Sequence, residues 1–153
     1  MEQRQLSALE DRLGYVFVHK DLLMTALTHK THAFEASTPL EYNERLEFLG
    51  DSILNFVIAE QLYRSNTFFS EGELTRRRAI YVNNTVLANI ATQLEIGRFL
   101  LLGKGESKQK GEQNRTNLAN ALEAIIGAMF LDSDLDTVRS FILRTLSVEE
   151  KKK

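Results

Sequence analysis

The run from Asn43 to Glu60 constrains the fold most, because it carries a helical apolar period and an acidic stripe together. Leu46, Leu49, Ile53, Phe56 and Val57 recur at helical spacing, which marks a face to be buried against other helices. Glu44, Glu47 and Asp51 stand three and four apart and share another face. Like charges on one stripe repel and cost helix stability, and a bound cation turns that repulsion into attraction. At a rise of ~1.5 Å per residue, Glu44 and Asp51 are ~10 Å apart along the axis. Glu47 and Asp51 are therefore the closer pair, with Glu44 flanking. An acidic helix face is usually a solvated surface. Here apolar Phe48 and Leu49 sit beside the acids, and Gly50 interrupts the helix at a cost of ~1 kcal/mol relative to alanine. A glycine in that position points to another backbone or a ligand coming close.

The rest of the chain also reads as helix. Leu6, Leu9 and Leu13 line one side of a first short helix that Gly14 caps. A second covers Lys20 to Thr28 and leaves His29 at its C-terminal end, where a partial positive charge suits the helix dipole better than a catalytic role explains it. Residues 30–42 form a polar connection. Within it Thr38-Pro39-Leu40-Glu41 fits a capping box, so the acidic helix starts near Pro39 or at Asn43, and runs to about Tyr63 or Arg64. Ser70 and Glu73 form a second capping box, opening a helix through about Tyr81, and Asn84 caps another to about Leu94, with Gly97 closing it. Phe99 to Leu102 is a buried run too short to type. Gly103 to Thr116 reads as the least structured stretch, a mobile polar loop. Leu118, Ala121, Leu122, Ile125, Ile126 and Met129 then mark a strongly apolar helix in which Glu123 stands alone and needs a partner or an ion. The last helix spans about Asp134 to Leu146, with Ser133 as its cap. No strand-like alternation persists and no repeat is found, so the fold class is all-α. One domain over 1–147 is expected, with 148–153 a disordered tail or the start of a linker.

Composition excludes some classes. There is no cysteine, so disulfides and thiolate metal sites are out. No apolar run approaches the ~20 residues of a membrane span, and no apolar targeting core follows Met1, so a cytoplasmic protein is the default expectation. The net charge of −2 does not announce a nucleic-acid binder. Basic groups are nevertheless clustered locally. Arg76, Arg77 and Arg78 are usually a solvated face, but Arg76 and Arg78 are candidates for bidentate phosphate contacts. Lys104, Lys108, Lys110 and Arg115 form either a solvent loop or a flexible grip on an RNA backbone.

Glu44-Arg45-Leu46-Glu47-Phe48-Leu49-Gly50-Asp51 resembles the signature of the bacterial-type ribonuclease III endonuclease domain, without a gap. Ala26-Leu27-Thr28-His29-Lys30-Thr31 and Glu71-Gly72-Glu73-Leu74-Thr75 with Arg78-Ala79 resemble its other blocks. Leu102-Gly103-Lys104-Gly105-Glu106 and Leu122-Glu123-Ala124-Ile125-Ile126-Gly127-Ala128 follow in the same order. The resemblance implies a helical domain in a symmetric homodimer that hydrolyses double-stranded RNA, leaving 5′-phosphates and short 3′ overhangs. It implies Mg²⁺ as the cofactor, with Mn²⁺ able to substitute, and no small-molecule cofactor. Hard divalent ions suit oxygen ligands and activate water without a covalent nucleophile. The catalytic and metal-binding set implied is Glu47, Asp51, Glu123 and position 120, with Phe48 as an aromatic plug into the partner subunit. Read without the resemblance, Phe48 is an ordinary core phenylalanine.

The sequence departs from the family pattern at one site position. Asn120 stands where the family has aspartate, keeping the shape and a carbonyl oxygen but losing the charge and one acceptor. The family's C-terminal double-stranded-RNA-binding domain is not part of this sequence, so RNA affinity is expected to be weak and salt-dependent. Two functions follow: a metal-dependent endoribonuclease weakened at Asn120, or a catalytically inactive duplex-RNA-binding or assembly protein retaining the fold.

Overall fold

Helix α4, Glu44–Ser65, and helix α8, Arg115–Asp132, form the most extensive helix pair in the molecule. Every α8 residue from Leu118 to Met129 is buried except Asn120, as befits a helix apolar nearly all round. Each fully buried Leu or Ile there contributes ~1.5–3 kcal/mol of transfer free energy. The other helices wrap this axis: α1 Gln3–Leu13, α2 Lys20–Leu27, α3 Lys30–Glu35, α5 Glu71–Tyr81, α6 Asn84–Gln93, α7 Lys104–Lys108 and α9 Leu135–Thr145. Two 3-10 turns, Ile96–Phe99 and Gly111–Gln113, complete the set. This computed structural model describes residues 3–148, and no described helix is long and apolar enough to cross a membrane. The fold is all-α, as the sequence pattern requires.

Helix ends follow local chemistry in most places. Gly14 closes α1 at φ +66°, and the Ser70–Glu73 capping box is complete. Elsewhere the caps are displaced by one residue. Asn83, not Asn84, accepts the Val86 N–H, and Asp134, not Ser133, accepts the Thr137 N–H, while Ser133 turns back to Met129 O. The Thr38–Glu41 box does not form. Asn43 is buried with its N–H on Thr28 O at 3.0 Å, and its own carbonyl receives the Glu47 N–H at 2.8 Å, so contact with the end of α2 sets where α4 starts. Phe56, expected in the apolar stripe, is half-exposed.

The polar connection 30–42 contains α3, and the stretch 103–116 contains α7 and a 3-10 turn; both had read as structureless. His29 is the N-cap of α3, with Nδ1 2.8 Å from Thr31 Oγ1 and 3.4 Å from the Thr31 N–H. This overturns the helix C-terminal role expected for it. An N-cap needs an acceptor, and burial lowers the imidazole pKa, against the opposing pull of Glu106. Val148, placed in the expected tail, is buried with its N–H on Leu143 O. Residues 149–153 of that tail lie outside the described residues.

Asp132, at the end of α8, ties the loop after α1 to the core. It accepts from Tyr15 OH at 2.7 Å, from the Val18 and His19 N–H groups at 2.8 Å each, and pairs with His19 Nδ1 at 2.9 Å. Burial alone would raise this carboxyl, but these donors outweigh it and hold the pKa at about 2. The ionised form is favoured by folding. Its contribution to stability is therefore present above pH 3.8 and is lost as pH falls through about 2.

Candidate active site

The acidic residues of α4 and α8 are brought together by a crossing of two glycines. A Cβ built on Gly50 would lie 1.7 Å from the Glu123 carbonyl oxygen and 3.0 Å from Gly127 N. One on Gly127 would lie 2.3 Å from Leu46 O. The backbones touch because neither glycine has a side chain. This is the close approach that a mid-helix glycine signals in the sequence, and the approaching group is the main chain of Glu123 itself.

At this crossing Glu47, Asp51 and Glu123 feel one another. Glu123 is only 8% exposed, and its carboxylate accepts no hydrogen bond among the described residues. Burial, followed by the charges of Asp51 and Glu47, pushes its pKa up to about 7. Glu47 is raised too, by burial first and then by Glu44 and Asp51, with Lys30 pulling the other way. Asp51 is exposed and accepts from Asn55 Nδ2 at 2.9 Å. Glu44 is held by Lys30 Nζ at 3.1 Å, an ion pair the sequence reading missed and no spacing rule would have found. Asn120, one turn before Glu123, is half-buried, and its side chain makes no hydrogen bond among the described residues.

A hard divalent cation suits this donor set: oxygen-bearing side chains, mutually repelling, one of them largely buried and accepting no hydrogen bond among the described residues. Among the described residues, no group of three or more histidine, aspartate or glutamate side chains stands in a metal-holding arrangement as it is. Glu47, Asp51 and Glu123 are the residues that would hold such an ion, with the Asn120 amide beside them.

Without metal, the buried Glu123 carboxyl holds its proton more tightly folded than unfolded. Its contribution to stability is full below pH 4.5 and is lost as pH rises through about 7. In a chelator, thermal melting should therefore give a lower Tm at pH 8 than at pH 5, and Glu123→Gln should flatten that slope.

The other expected site residues are dispersed. Phe48 is 78% exposed on α4, which rules out the ordinary core reading. Arg76 is exposed on α5 and Arg78 partly covered, while Arg77 stacks over the Phe69 ring at 4.0 Å. Lys104, Lys108 and Lys110 are exposed on and just after α7, whereas Arg115 is engaged by Asn89 Oδ1 at 3.2 Å.

Comparison with known proteins specifies the class. Residues 19–149 match the family profile described as Ribonuclease-III-like, and the chain belongs to the ribonuclease III family. Ribonuclease 3 of Buchnera aphidicola (subspecies Acyrthosiphon pisum) is 48% identical over 132 residues, which span 86% of this chain and 56% of that protein. Ribonuclease 3 of Vibrio cholerae is 47% identical over 138 residues, 90% of this chain and 59% of that protein. The chain thus spans under two thirds of these relatives. Among solved structures, the nuclease domain of ribonuclease III from Campylobacter jejuni superimposes with a TM-score of 0.86 at 37% identity, covering 100% of this chain and 99% of that one. A second structure of that domain, described for structural flexibility in the region involved in dimer formation, gives 0.84 at 40% identity, covering 92% and 94%.

Proposed function

We propose that this chain is a divalent-metal-dependent endoribonuclease acting on double-stranded RNA. The observation that carries the reading is Glu123, a residue only 8% exposed whose carboxylate accepts no hydrogen bond among the described residues and feels the charges of Asp51 and Glu47 on the helix it crosses. Bound between them, Mg²⁺ or Mn²⁺ would supply the charge that activates a water and offsets the negative charge gathering on the phosphate. Glu47 and Asp51 present ligand oxygens from one helix face and Glu123 from the other side. Gly50 and Gly127 fix the separation of the two helices. Asn120 orients water through its amide but adds no negative charge. Lys30 neutralises Glu44 at the edge of the cluster. Exposed Lys104, Lys108 and Lys110, with Arg76, give phosphates a place to bind.

The functional unit is a homodimer, a reading supported by the apolar groups α4 leaves exposed. Phe48, Phe56 and Tyr63 remain exposed along it. Beside Phe48 an open cleft of ≈ 910 Å³ is lined by Leu22, Leu40, Tyr42, Leu46, Leu49 and others. A protruding aromatic next to an apolar cleft on the same face is what a self-complementary two-fold interface needs. Phe48→Glu is expected to shift the species in analytical ultracentrifugation to monomer without unfolding it. A dimer of unchanged stability would contradict this assignment.

The second reading, a duplex-RNA binder without turnover, is favoured by Asn120 alone. A gel of duplex RNA incubated with Mg²⁺ and with Mn²⁺ separates the two. Cleavage that disappears in Glu123→Ala supports the enzyme; binding without any cleavage in either metal supports the binder.

A further inference from the structure

We propose that Glu35 is a positioning residue that latches the lysine-bearing helix α7 at a fixed place against helix α3. The inference rests on the proposed action on duplex RNA and extends it to a residue outside the acid set. By sequence, residues 103–116 should be mobile, and the buried run before them is untyped. They are instead fastened along α2 and α3 by successive main-chain groups. Leu101 N–H donates to Leu27 O, and Leu101 O accepts the His29 N–H, both at 2.9 Å. Next along the chain, Gly103 N–H donates to Thr31 Oγ1 at 3.0 Å. The Lys104 N–H then donates to both oxygens of Glu35, at 2.9 and 3.0 Å. The far side is fastened as well: Asn117 Nδ2 donates to Glu106 Oε1 at 2.7 Å and to Gly111 O at 3.1 Å.

Fit at the latch is tight. A Cβ on Gly103 would lie 2.6 Å from Glu35 Oε1 and 2.8 Å from Thr31 O, so only glycine lets the strand lie this close. The opposite end of α3 reaches the acids, because Lys30 grips Glu44 at 3.1 Å. His29, the N-cap of α3, feels both Glu106 and Glu44. Helix α3 is thus a short spacer with Glu44, the flanking acid of α4, at one end and the start of α7 at the other. Lys104 and Lys108 stand four apart on α7, and Lys110 follows in a left-handed turn. A cation held in place loses less conformational freedom on meeting a phosphate than one on a free loop. Glu35, a negative charge that would repel RNA, improves binding by what it holds.

The experiment measures the Kd of the full chain for a blunt duplex RNA across a salt series, with amide exchange at Gly103 and Lys104 and with Mn²⁺ binding alone. Glu35→Ala should speed exchange at Lys104, raise Kd about 5- to 10-fold and lower the salt slope by roughly 2, the loss of about two phosphate contacts. Mn²⁺ affinity should stay within about twofold. Glu35→Gln, which keeps one acceptor oxygen, should fall between, and Gly103→Ala should repeat the loss by an independent route. Faster exchange with an unchanged Kd and salt slope would overturn the proposal, as would unchanged exchange in Glu35→Ala. A wild-type chain that binds Mn²⁺ but no duplex RNA would instead remove the reading of the substrate on which the latch depends.

Discussion

Gly50→Ala is expected to destabilise the chain by about 3 kcal/mol or more, at the upper end of overpacking effects. The added methyl would sit 1.7 Å from the Glu123 carbonyl oxygen, which is main chain and cannot rotate away. Helices α4 and α8 must separate to admit it. The sign of the effect is the informative part. On a solvent-facing helix the same substitution stabilises by ~1 kcal/mol through propensity. Urea unfolding decides between them: the midpoint should fall well below that of the parent. Because the separation also draws Glu47 and Asp51 away from Glu123, whatever Mn²⁺ affinity the parent has should weaken in any folded fraction.

Asn120→Asp is expected to raise Mg²⁺-dependent cleavage of duplex RNA by ~10–100-fold, the usual scale for changes at groups that support a metal. The position is half-buried and one turn from Glu123, and its side chain has no hydrogen bond among the described residues, so a carboxylate can enter without breaking one. It would add a charged oxygen to the donor set. The parent should show its deficit most in Mg²⁺ and least in Mn²⁺, which tolerates nitrogen and softer ligands better than Mg²⁺ does. A gel time course in both metals measures this. A folded, dimeric Asn120→Asp protein that is inert in both would refute the proposed activity.

The longer helices were legible from apolar spacing, and the crossing of α4 and α8 was legible from Gly50 and Glu123 in particular. Each breaks a local rule: a glycine inside a helix, a lone carboxylate in an apolar one. Each violation is explained by the same crossing. What could not be read was whatever long-range contact decides. Thr38–Glu41 and Ser70–Glu73 present the same capping pattern, yet only the second forms, because the first is overridden by Asn43 binding the end of α2. The stretch 103–116 looks flexible by composition, and the groups that order it, Thr31, Glu35 and Asn117, are distant or outside the loop. His29 read as the end of one helix because the next helix, α3, is too short for any period to reveal. Phe56 matched the apolar period but faces outward with Phe48, a distinction that periodicity alone does not make.

The most direct measurement is anomalous diffraction from crystals grown with Mn²⁺ near neutral pH. The expected result is an anomalous peak ligated by Glu47, Asp51 and Glu123, absent from Glu123→Ala crystals. At saturating Mn²⁺, density lacking any peak between α4 and α8, or a peak that persists there without the Glu123 carboxylate, would contradict a metal site assembled by the glycine crossing.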